Sequence, residues 1–318
     1  MTTNTLSPHL DRRTRIRAEL TERTRSFTEL AQAVRSEGLN RRTRAFYFTL
    51  FGGLVLALAG AIAGVVLLGA SWFQLLIAAA LGIIFTQFAF LGHEASHRQV
   101  LDSGPANDRF GRLLATFFVG MSYSWWMNKH TRHHGNPNKV GKDPDIDLGT
   151  VAFTPEDAAA STGFRAWIIR RQGWFFLPLL LLAGLDMHQV SIRSLFSRKP
   201  VKGRALEMAL IGGRFALYLG LLFWLLPVGM AFAFLGVQLA VFGVYMGGSF
   251  APNHVGMPIV AHDAKLDFLD KQVLTSRNVS GGWWMTALMG GLNYQIEHHL
   301  FPSMPRPHLF RARQLVLA

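Results

Sequence analysis

The sequence predicts an all-α integral membrane protein with four transmembrane helices, arranged as two hairpins, plus interfacial helices and a cytoplasmic histidine-rich cap. Three observations support this fold class. The segments 45–92 and 215–253 contain no Asp, Glu, Lys or Arg. Half of the residues are hydrophobic and only 16% are charged, which is unusual for a soluble protein of 318 residues. Basic residues, which give a formal net charge of +13, cluster beside the apolar segments.

The first apolar segment is long enough to cross a bilayer twice. We expect helices at about 46–68 and 71–92, joined by an uncharged turn near Gly69. Arginines precede the first helix and follow the second, so the positive-inside rule places both ends of this hairpin in the cytoplasm.

The second hairpin is predicted at about 207–226 and 229–250, with its turn at Pro227. A basic segment, 193–206, precedes it and is expected in the cytoplasm. With four crossings, both chain termini lie on that same side. The apolar stretches 111–127 and 174–185 are short for a crossing. We expect an interfacial or re-entrant helix in the first and an interfacial or half-buried one in the second.

Residues 1–44 form a basic cytoplasmic N-terminal segment in this interpretation, with a helix from about Arg12 to Ser36, and 45–318 form the main domain. A nucleic-acid-binding arm is the alternative for the basic segment. It is disfavoured because acidic residues are interspersed with the arginines, so we expect no nucleic acid partner.

Histidines are concentrated in short clusters at the predicted cytoplasmic ends of the helices. Eight of the twelve fall in four such clusters: His93, His97, His130, His133, His134, His254, His298 and His299. Imidazole is a common ligand of iron, zinc, copper and nickel. On helices, an i, i+4 spacing places two imidazoles on one face, as for His93 and His97. The alternative for the central cluster, taken alone, is a solvated turn.

The number of histidines predicts two metal ions, because eight imidazoles are too many for one. His298 and His299 are adjacent, so their side chains point in different directions, which suits two neighbouring metals. The chain has no cysteine, which excludes iron–sulfur clusters, thiolate-ligated haem and Cys-type zinc sites.

This arrangement resembles the membrane fatty acid desaturase family. The resemblance rests on His93-xxx-His97, on His130-xx-His133-His134 and on the run from Asn293 to Pro302, which contains Gln295-xx-His298-His299. It implies two non-haem irons that activate O2 to introduce a cis double bond into a fatty acyl-CoA or acyl-lipid chain. The same eight histidines become the implied iron ligands.

Several further residues follow from this resemblance. Many family members have His in place of Gln295, so Gln295 and His188 are additional candidate ligands. We assign Glu94 and Glu297 orienting roles, in which each carboxylate accepts N–H from a ligating histidine, and extend this to Asp143, Asp145 and Asp147. Tryptophans near the clusters either wall an acyl tunnel or anchor the chain at the interface: Trp125, Trp126, Trp283 and Trp284.

The reaction needs two electrons from outside the chain. The sequence shows no haem-binding domain, cysteine cluster or dinucleotide-binding fingerprint, which implies a separate ferredoxin or flavin reductase. Family members usually continue further past the third histidine cluster, so we expect residues beyond Ala318. A basic face would dock an acidic carrier or anionic membrane lipid: Arg132, Lys139, Lys142, Arg193, Lys199 and Lys202.

Three other functions remain as alternatives. A hydroxylase or ketolase of the same superfamily would use the same ligands. The spacing His93-Glu94-x-x-His97 also matches the zinc-protease motif, which leaves the other clusters unexplained. A metal transporter would carry histidines within its spans, whereas these lie beyond the span ends.

Overall fold

The computed structural model describes residue 22 and residues 24–147 and 149–317. Within these residues the regular secondary structure is helical, apart from a single bridge between Lys139 and Val260. Residues 24–36 are helical and precede the elements numbered here. The α-helices are α1 (Arg44–Leu68), α2 (Gln74–Ser96), α3 (Gly104–Arg112), α4 (Tyr123–Gly135), α5 (Pro155–Ala160), α6 (Gly163–Ile169), α7 (Gln172–Leu195), α8 (Arg204–Leu225), α9 (Val228–His254), α10 (Phe268–Leu274), α11 (Trp283–Leu288), α12 (Gln295–Leu300) and α13 (Leu309–Val316).

Five of these helices are long and apolar enough to cross a membrane: α1, α2, α7, α8 and α9. The sequence predicted four, which correspond to α1, α2, α8 and α9. The difference is α7, where the apolar stretch 174–185 forms only the first half of a 24-residue helix. Asp186 interrupts the apolar run in the sequence, but the helix continues through it to Leu195.

Helix α2 lies at the centre of the bundle, where it packs against α1, α3 and α9. It is the most buried of the five long helices, and the side chains of Phe85, Phe88 and Phe90 are almost inaccessible to solvent. Many side chains on the outer faces of α1 and α8 are apolar and exposed, as expected of helices that contact lipid.

Helices α7 and α9 touch backbone to backbone through two glycines. A Cβ on Gly184 would lie 2.4 Å from the carbonyl oxygen of Leu239, and a Cβ on Gly243 would lie 2.4 Å from that of Leu180. Small residues allow the two backbones to approach closely. In lipid, where the hydrophobic effect does not drive helices together, the resulting van der Waals packing stabilises the contact.

The stretch 111–127 is not the single interfacial or re-entrant helix that the sequence suggested. It comprises the end of α3, a π-helical segment (Leu113–Val119) and the start of α4. Gly120 adopts φ 96°, a left-handed conformation that glycine tolerates and that ends the π-helical segment. Helix α4 therefore begins afresh, with the Ser122 hydroxyl accepting from the backbone N–H of Trp125.

The N-terminal segment packs against the C-terminal part of the cap. Val34 and Leu39 are buried in a second hydrophobic cluster together with Leu300 and Phe301 of the third histidine motif. The ring of Phe27 stacks on that of Phe301 at a centroid distance of 5.8 Å. Residues 27–39 therefore support the histidine-rich cap.

Candidate metal centre

Helix α2 delivers the first histidine pair. It remains helical to Ser96, so His93 and the C-cap residue His97 lie about one turn apart on the same side. Their rings are in contact, with centroids 4.8 Å apart. His93 is only 3% exposed.

Helix α4 delivers the central cluster, as its i, i+3 and i+4 spacing predicts. His130 and His133 are buried, and His134 is partly buried. The last pair comes from the short helix α12, which follows two glycines with left-handed backbone, Gly290 and Gly291. This irregular approach turns the backbone sharply just before the motif.

All eight predicted histidines converge in two groups. In the first group the candidate ligand nitrogens lie within 4.8 Å of one another, and it contains His93, His97, His130, His134 and His298. The second group meets the same limit and contains His133, His254 and His299. The groups adjoin, because the rings of His134 and His299 stack with centroids 4.2 Å apart. His298 and His299 thus enter different groups, as their adjacency suggested.

Several ring nitrogens in these groups are buried without a hydrogen-bond partner: both nitrogens of His93 and Nε2 of His134, His298 and His299. A buried polar atom without a partner costs about 1–3 kcal/mol. In addition, Nε2 of His97 lies 2.6 Å from Nε2 of His130. Unpartnered nitrogens that converge on a common point fit metal ions, which would supply the missing partners.

The second group is oriented from outside by polar contacts to Nδ1. Nδ1 of His133 lies 3.0 Å from a carboxylate oxygen of Asp143. Nδ1 of His254 lies 2.8 Å from the carbonyl oxygen of Thr275, and Nδ1 of His299 lies 2.8 Å from Oε1 of Gln272. An acceptor at Nδ1 holds the proton there and leaves Nε2 free for a metal.

Gln272 is a site residue that the sequence analysis missed. It lies in α10, is 1% exposed, and also donates from Nε2 to the carbonyl oxygen of His134. It therefore contacts both the central and the third cluster. No motif marks it, since a single glutamine in a mixed segment is indistinguishable from a surface residue until the fold is known.

Four of the five candidate ligands in α4 and α12 are held neutral by their environment. Burial, followed by the charges of neighbouring histidines, keeps the pKa of each well below its ordinary value at His130, His134, His298 and His299. Burial also acts on His133, but Asp145 and Asp143 outweigh it and raise the pKa of that imidazole. Neutral imidazole is the form that binds metals.

Glu94 and Glu297 have partners other than the histidines we expected. The Glu94 carboxylate accepts from Nε and Nη2 of Arg306 at 2.7 and 2.6 Å, and Tyr47 lies within 3.4 Å. Glu297 accepts from Nδ2 of Asn278 at 2.8 Å. The physical reason is that each glutamate is adjacent in sequence to a candidate ligand and so lies about 100° around the helix from it, where it meets other partners. In the described residues the contacts to histidine Nδ1 atoms come from Asp143 and Asp145, which the sequence analysis also named, and from Gln272 and Thr275.

Gln295 and His188 occupy different positions relative to the groups. Nε2 of Gln295 lies 2.9 Å from Nε2 of His254, so its amide borders the second group. The nitrogens of His188 lie 2.7 Å from the carbonyl oxygen of Gly184 and 3.1 Å from that of Val119. His188 belongs to neither histidine group.

The four tryptophans lie in different environments: two pack inside the protein and two are exposed. Trp126 stacks on His130 with centroids 4.7 Å apart and contacts His93. Trp125 packs partly buried against the main hydrophobic core. Trp283 and Trp284 are 84% and 52% exposed, which suits an interfacial position.

Comparisons with known proteins agree with this site. The family model named Fatty acid desaturase matches residues 70–318. The Delta(6)-fatty-acid desaturase fat-3 of Caenorhabditis elegans is 29% identical over 298 residues, 89% of this chain and 66% of the relative. The Acyl-lipid (9-3)-desaturase of Physcomitrium patens is 30% identical over 238 residues, 72% of this chain and 45% of the relative.

A third relative, the Delta(5) fatty acid desaturase fat-4 of Caenorhabditis elegans, is 28% identical over 306 residues, 92% of this chain and 67% of the relative. The chain thus spans between 45% and 67% of the length of these three relatives. The family match covers most of this chain and contains all eight clustered histidines. The chain belongs to the fatty acid desaturase family.

Proposed function

We propose that this chain is an O2-dependent fatty acyl desaturase that introduces a cis double bond into an acyl-CoA or acyl-lipid chain. It would use a di-iron centre and two electrons from an external ferredoxin or flavin reductase. The observation that carries this proposal is the convergence of eight histidines in two adjoining groups, with buried nitrogens that have no other partner. The relatives' names, which all specify fatty acid or acyl-lipid desaturation, support the substrate class.

The two irons would activate O2 and so supply the oxidising power that no amino-acid side chain has. The first would be held by His93, His97, His130, His134 and His298, and the second by His133, His254 and His299, with Gln295 beside it. The protein's own contribution is to orient these imidazoles through Asp143, Gln272 and Thr275. Trp126 and Phe250 cover His93 and limit the access of water.

We further propose that four helices cross the membrane and that α7 lies against the interface. Ala152 hydrogen-bonds to the side chain of Gln172, at the start of α7, through both its N–H and its C=O. Ala152 lies seven positions after Asp145, which contacts His133, so the chain between them spans at most about 25 Å. The hydrocarbon core is about 30 Å thick, so α7 begins on the side of the histidines.

The other end of α7 lies on that side too. Ser191 accepts from the backbone N–H of Ser122, which caps the histidine-bearing helix α4. Both termini of the described chain pack on the cap. With the positive-inside rule, this arrangement favours a cytoplasmic location for the termini and the metal centre.

The zinc-protease alternative is disfavoured by one contact. That mechanism needs the glutamate of His93-Glu94-x-x-His97 as a free general base. Here the Glu94 carboxylate is paired through both oxygens with Arg306, and both partners are buried. A hydroxylase or ketolase would use the same centre and differ only in product.

The test compares cells that express the wild-type chain, a His133→Ala variant and a His262→Ala control, an exposed histidine outside both groups. Fatty acids are analysed for new double bonds, and the iron content of each purified protein is determined. We expect new double bonds and about two irons per chain, both reduced in His133→Ala and unchanged in His262→Ala. Hydroxylated or keto products would support the superfamily alternative, and one zinc per chain with unaltered lipids would contradict the proposal.

A further inference from the structure

Glu207 is a carboxylate with no accessible surface at the start of helix α8. It lies outside both histidine groups, and the desaturase mechanism assigns it no role. A buried carboxylate is costly unless its oxygens are well hydrogen-bonded, so its partners indicate its function.

Its partners lie at the N-terminus of helix α4. The Glu207 carboxylate accepts from the hydroxyl of Ser122 at 2.6 Å and from the backbone N–H of Ser124 at 3.1 Å. The hydroxyl of Ser124 lies 2.7 Å from the carboxylate and 2.9 Å from the carbonyl oxygen of Lys202. Nε of Arg112 donates at 3.1 Å and completes the set.

These contacts make Glu207 part of the helix cap. Ser122 must present a lone pair to the N–H of Trp125 in order to cap α4. By taking the hydroxyl proton of Ser122, the carboxylate orients that lone pair toward the helix. Its negative charge also faces the positive end of the helix dipole.

The backbone just before α4, at residues 118–122, also contacts side chains of α7 and α8. The backbone N–H of Ser122 donates to the hydroxyl of Ser191 in α7. Nε2 of His188, also in α7, lies 3.1 Å from the carbonyl oxygen of Val119. Nε of Arg214 in α8 donates to the carbonyl oxygen of Phe118. The junction between the π-helical segment and α4 is therefore fixed by side chains of α7 and α8.

Helix α4 supplies imidazoles to both groups, His130 and His134 to the first and His133 to the second. His130 lies only eight residues beyond Ser122, about 12 Å along a helix. A shift or rotation of α4 at its N-terminus would therefore move ligands in both groups at once.

We propose that Glu207 is a positioning residue, which fixes the axial position and rotation of helix α4 and thereby the spacing of the two metal sites. The proposal rests on the metal centre proposed above. It assigns to the membrane helix α8 a direct structural link to the central histidine cluster.

The test uses Glu207→Gln, which keeps the shape but removes the charge and two acceptor lone pairs. The matched control is Gln74→Met. Gln74 is also fully buried, and it hydrogen-bonds Val65 and Gly69 at the turn between α1 and α2, far along α2 from the histidines. Both variants lose a buried polar contact between helices, but only the first loses a contact to α4.

Two readouts are made on the iron-loaded chain in detergent: the rate of iron transfer to a chelator, and amide hydrogen exchange along the chain. We expect Glu207→Gln to release iron about tenfold faster than wild type, the lower range for loss of an orienting contact. Exchange should rise mainly in residues 123–135. Gln74→Met should lower the melting temperature without either effect. Ser124→Ala, which removes the hydroxyl contact to Glu207 and leaves the Ser122 cap in place, provides the same test if Glu207→Gln does not fold.

Equal iron release and equal exchange in 123–135 for Glu207→Gln and Gln74→Met would overturn the inference. The failure of the proposed function appears separately, as a wild-type chain that binds no iron. In that case hydrogen exchange in 123–135 still decides whether Glu207 holds α4.

Discussion

At the scale of single residues, the acceptor at Nδ1 sets the tautomer of each imidazole in the second group. Asp143 accepts at Nδ1 of His133, and Gln272 accepts at Nδ1 of His299. Without an acceptor there, the imidazole can rotate or carry its proton on Nε2, where a metal would bind. The orienting residues therefore matter nearly as much as the ligands.

We predict that Asp143→Asn weakens iron binding at the second group by roughly 10- to 100-fold, because the amide is a poorer acceptor for His133. The measurement is iron per chain after dialysis against graded chelator concentrations. Asp147→Asn, an exposed aspartate of the same loop, is the control. Identical retention of iron in the two variants would remove the orienting role of Asp143.

Gln295 borders the second group with its amide nitrogen, since Nε2 lies 2.9 Å from Nε2 of His254 and Oε1 accepts from Nδ2 of Asn253 at 3.2 Å. A ligand role for the carbonyl oxygen therefore requires the amide to turn over. We predict that Gln295→His retains two irons and releases them more slowly, because imidazole binds iron better than an amide does. Gln295→Leu should lose iron from one site. If both substitutions gave the same iron content and release rate, Gln295 would not be a ligand.

At the scale of elements, the contact between α7 and α9 depends on the absence of side chains at Gly184 and Gly243. A Cβ on Gly243 would meet two backbone atoms, the carbonyl oxygen of Leu180 at 2.4 Å and the nitrogen of Gly184 at 2.6 Å. Backbone atoms cannot move aside as a flexible side chain does, so the helices would have to separate.

We predict that Gly243→Val destabilises the protein by about 1–3 kcal/mol, the usual cost of overpacking, and lowers its melting temperature in detergent. Gly236→Val is the control, since Gly236 lies two turns earlier on the same helix with nothing within 4 Å. A melting temperature as high for Gly243→Val as for Gly236→Val would show that α7 and α9 do not depend on this contact.

At the scale of the whole molecule, basic residues lie on the side of the cap. Arg193 is exposed in the last turn of α7, and Lys199 and Lys202 are exposed in the segment between α7 and α8. Arg132 and Lys142 are exposed near the central cluster. Because charge of one sign attracts an oppositely charged partner over several ångströms, this surface suits an acidic electron carrier.

We predict that Lys199→Glu/Lys202→Glu raises the apparent KM for the carrier while leaving kcat nearly unchanged, since binding and not chemistry is altered. The control is Arg35→Glu/Lys265→Glu, which makes the same change in net charge at exposed positions on other segments. Steady-state kinetics at low and high salt would measure both. Unchanged carrier kinetics in the first variant would contradict carrier docking and favour binding of anionic membrane lipid by the basic segment.

Much of this organisation could be predicted from the sequence, because it depends on local rules. Uncharged segments at 45–92 and 215–253 indicate paired membrane helices, and the structure has long apolar helices there. The histidine spacings place His93 beside His97 and His130 beside His134 through helix geometry alone. The adjacency of His298 and His299 already required that they point into different groups.

Other features depend on contacts between residues distant in the chain, and only the tertiary structure decided them. Glu94 pairs with Arg306 and Gln272 orients His299, although nothing in their local sequence distinguishes a partner from a surface residue. Glu207 contacts Ser122 because α8 packs against the start of α4. The sequence by itself determined which residues were candidate ligands, since that depends on residue type and spacing. The packing of the helices decided which side chains hold those ligands in place, because such contacts form only between surfaces that the fold brings together.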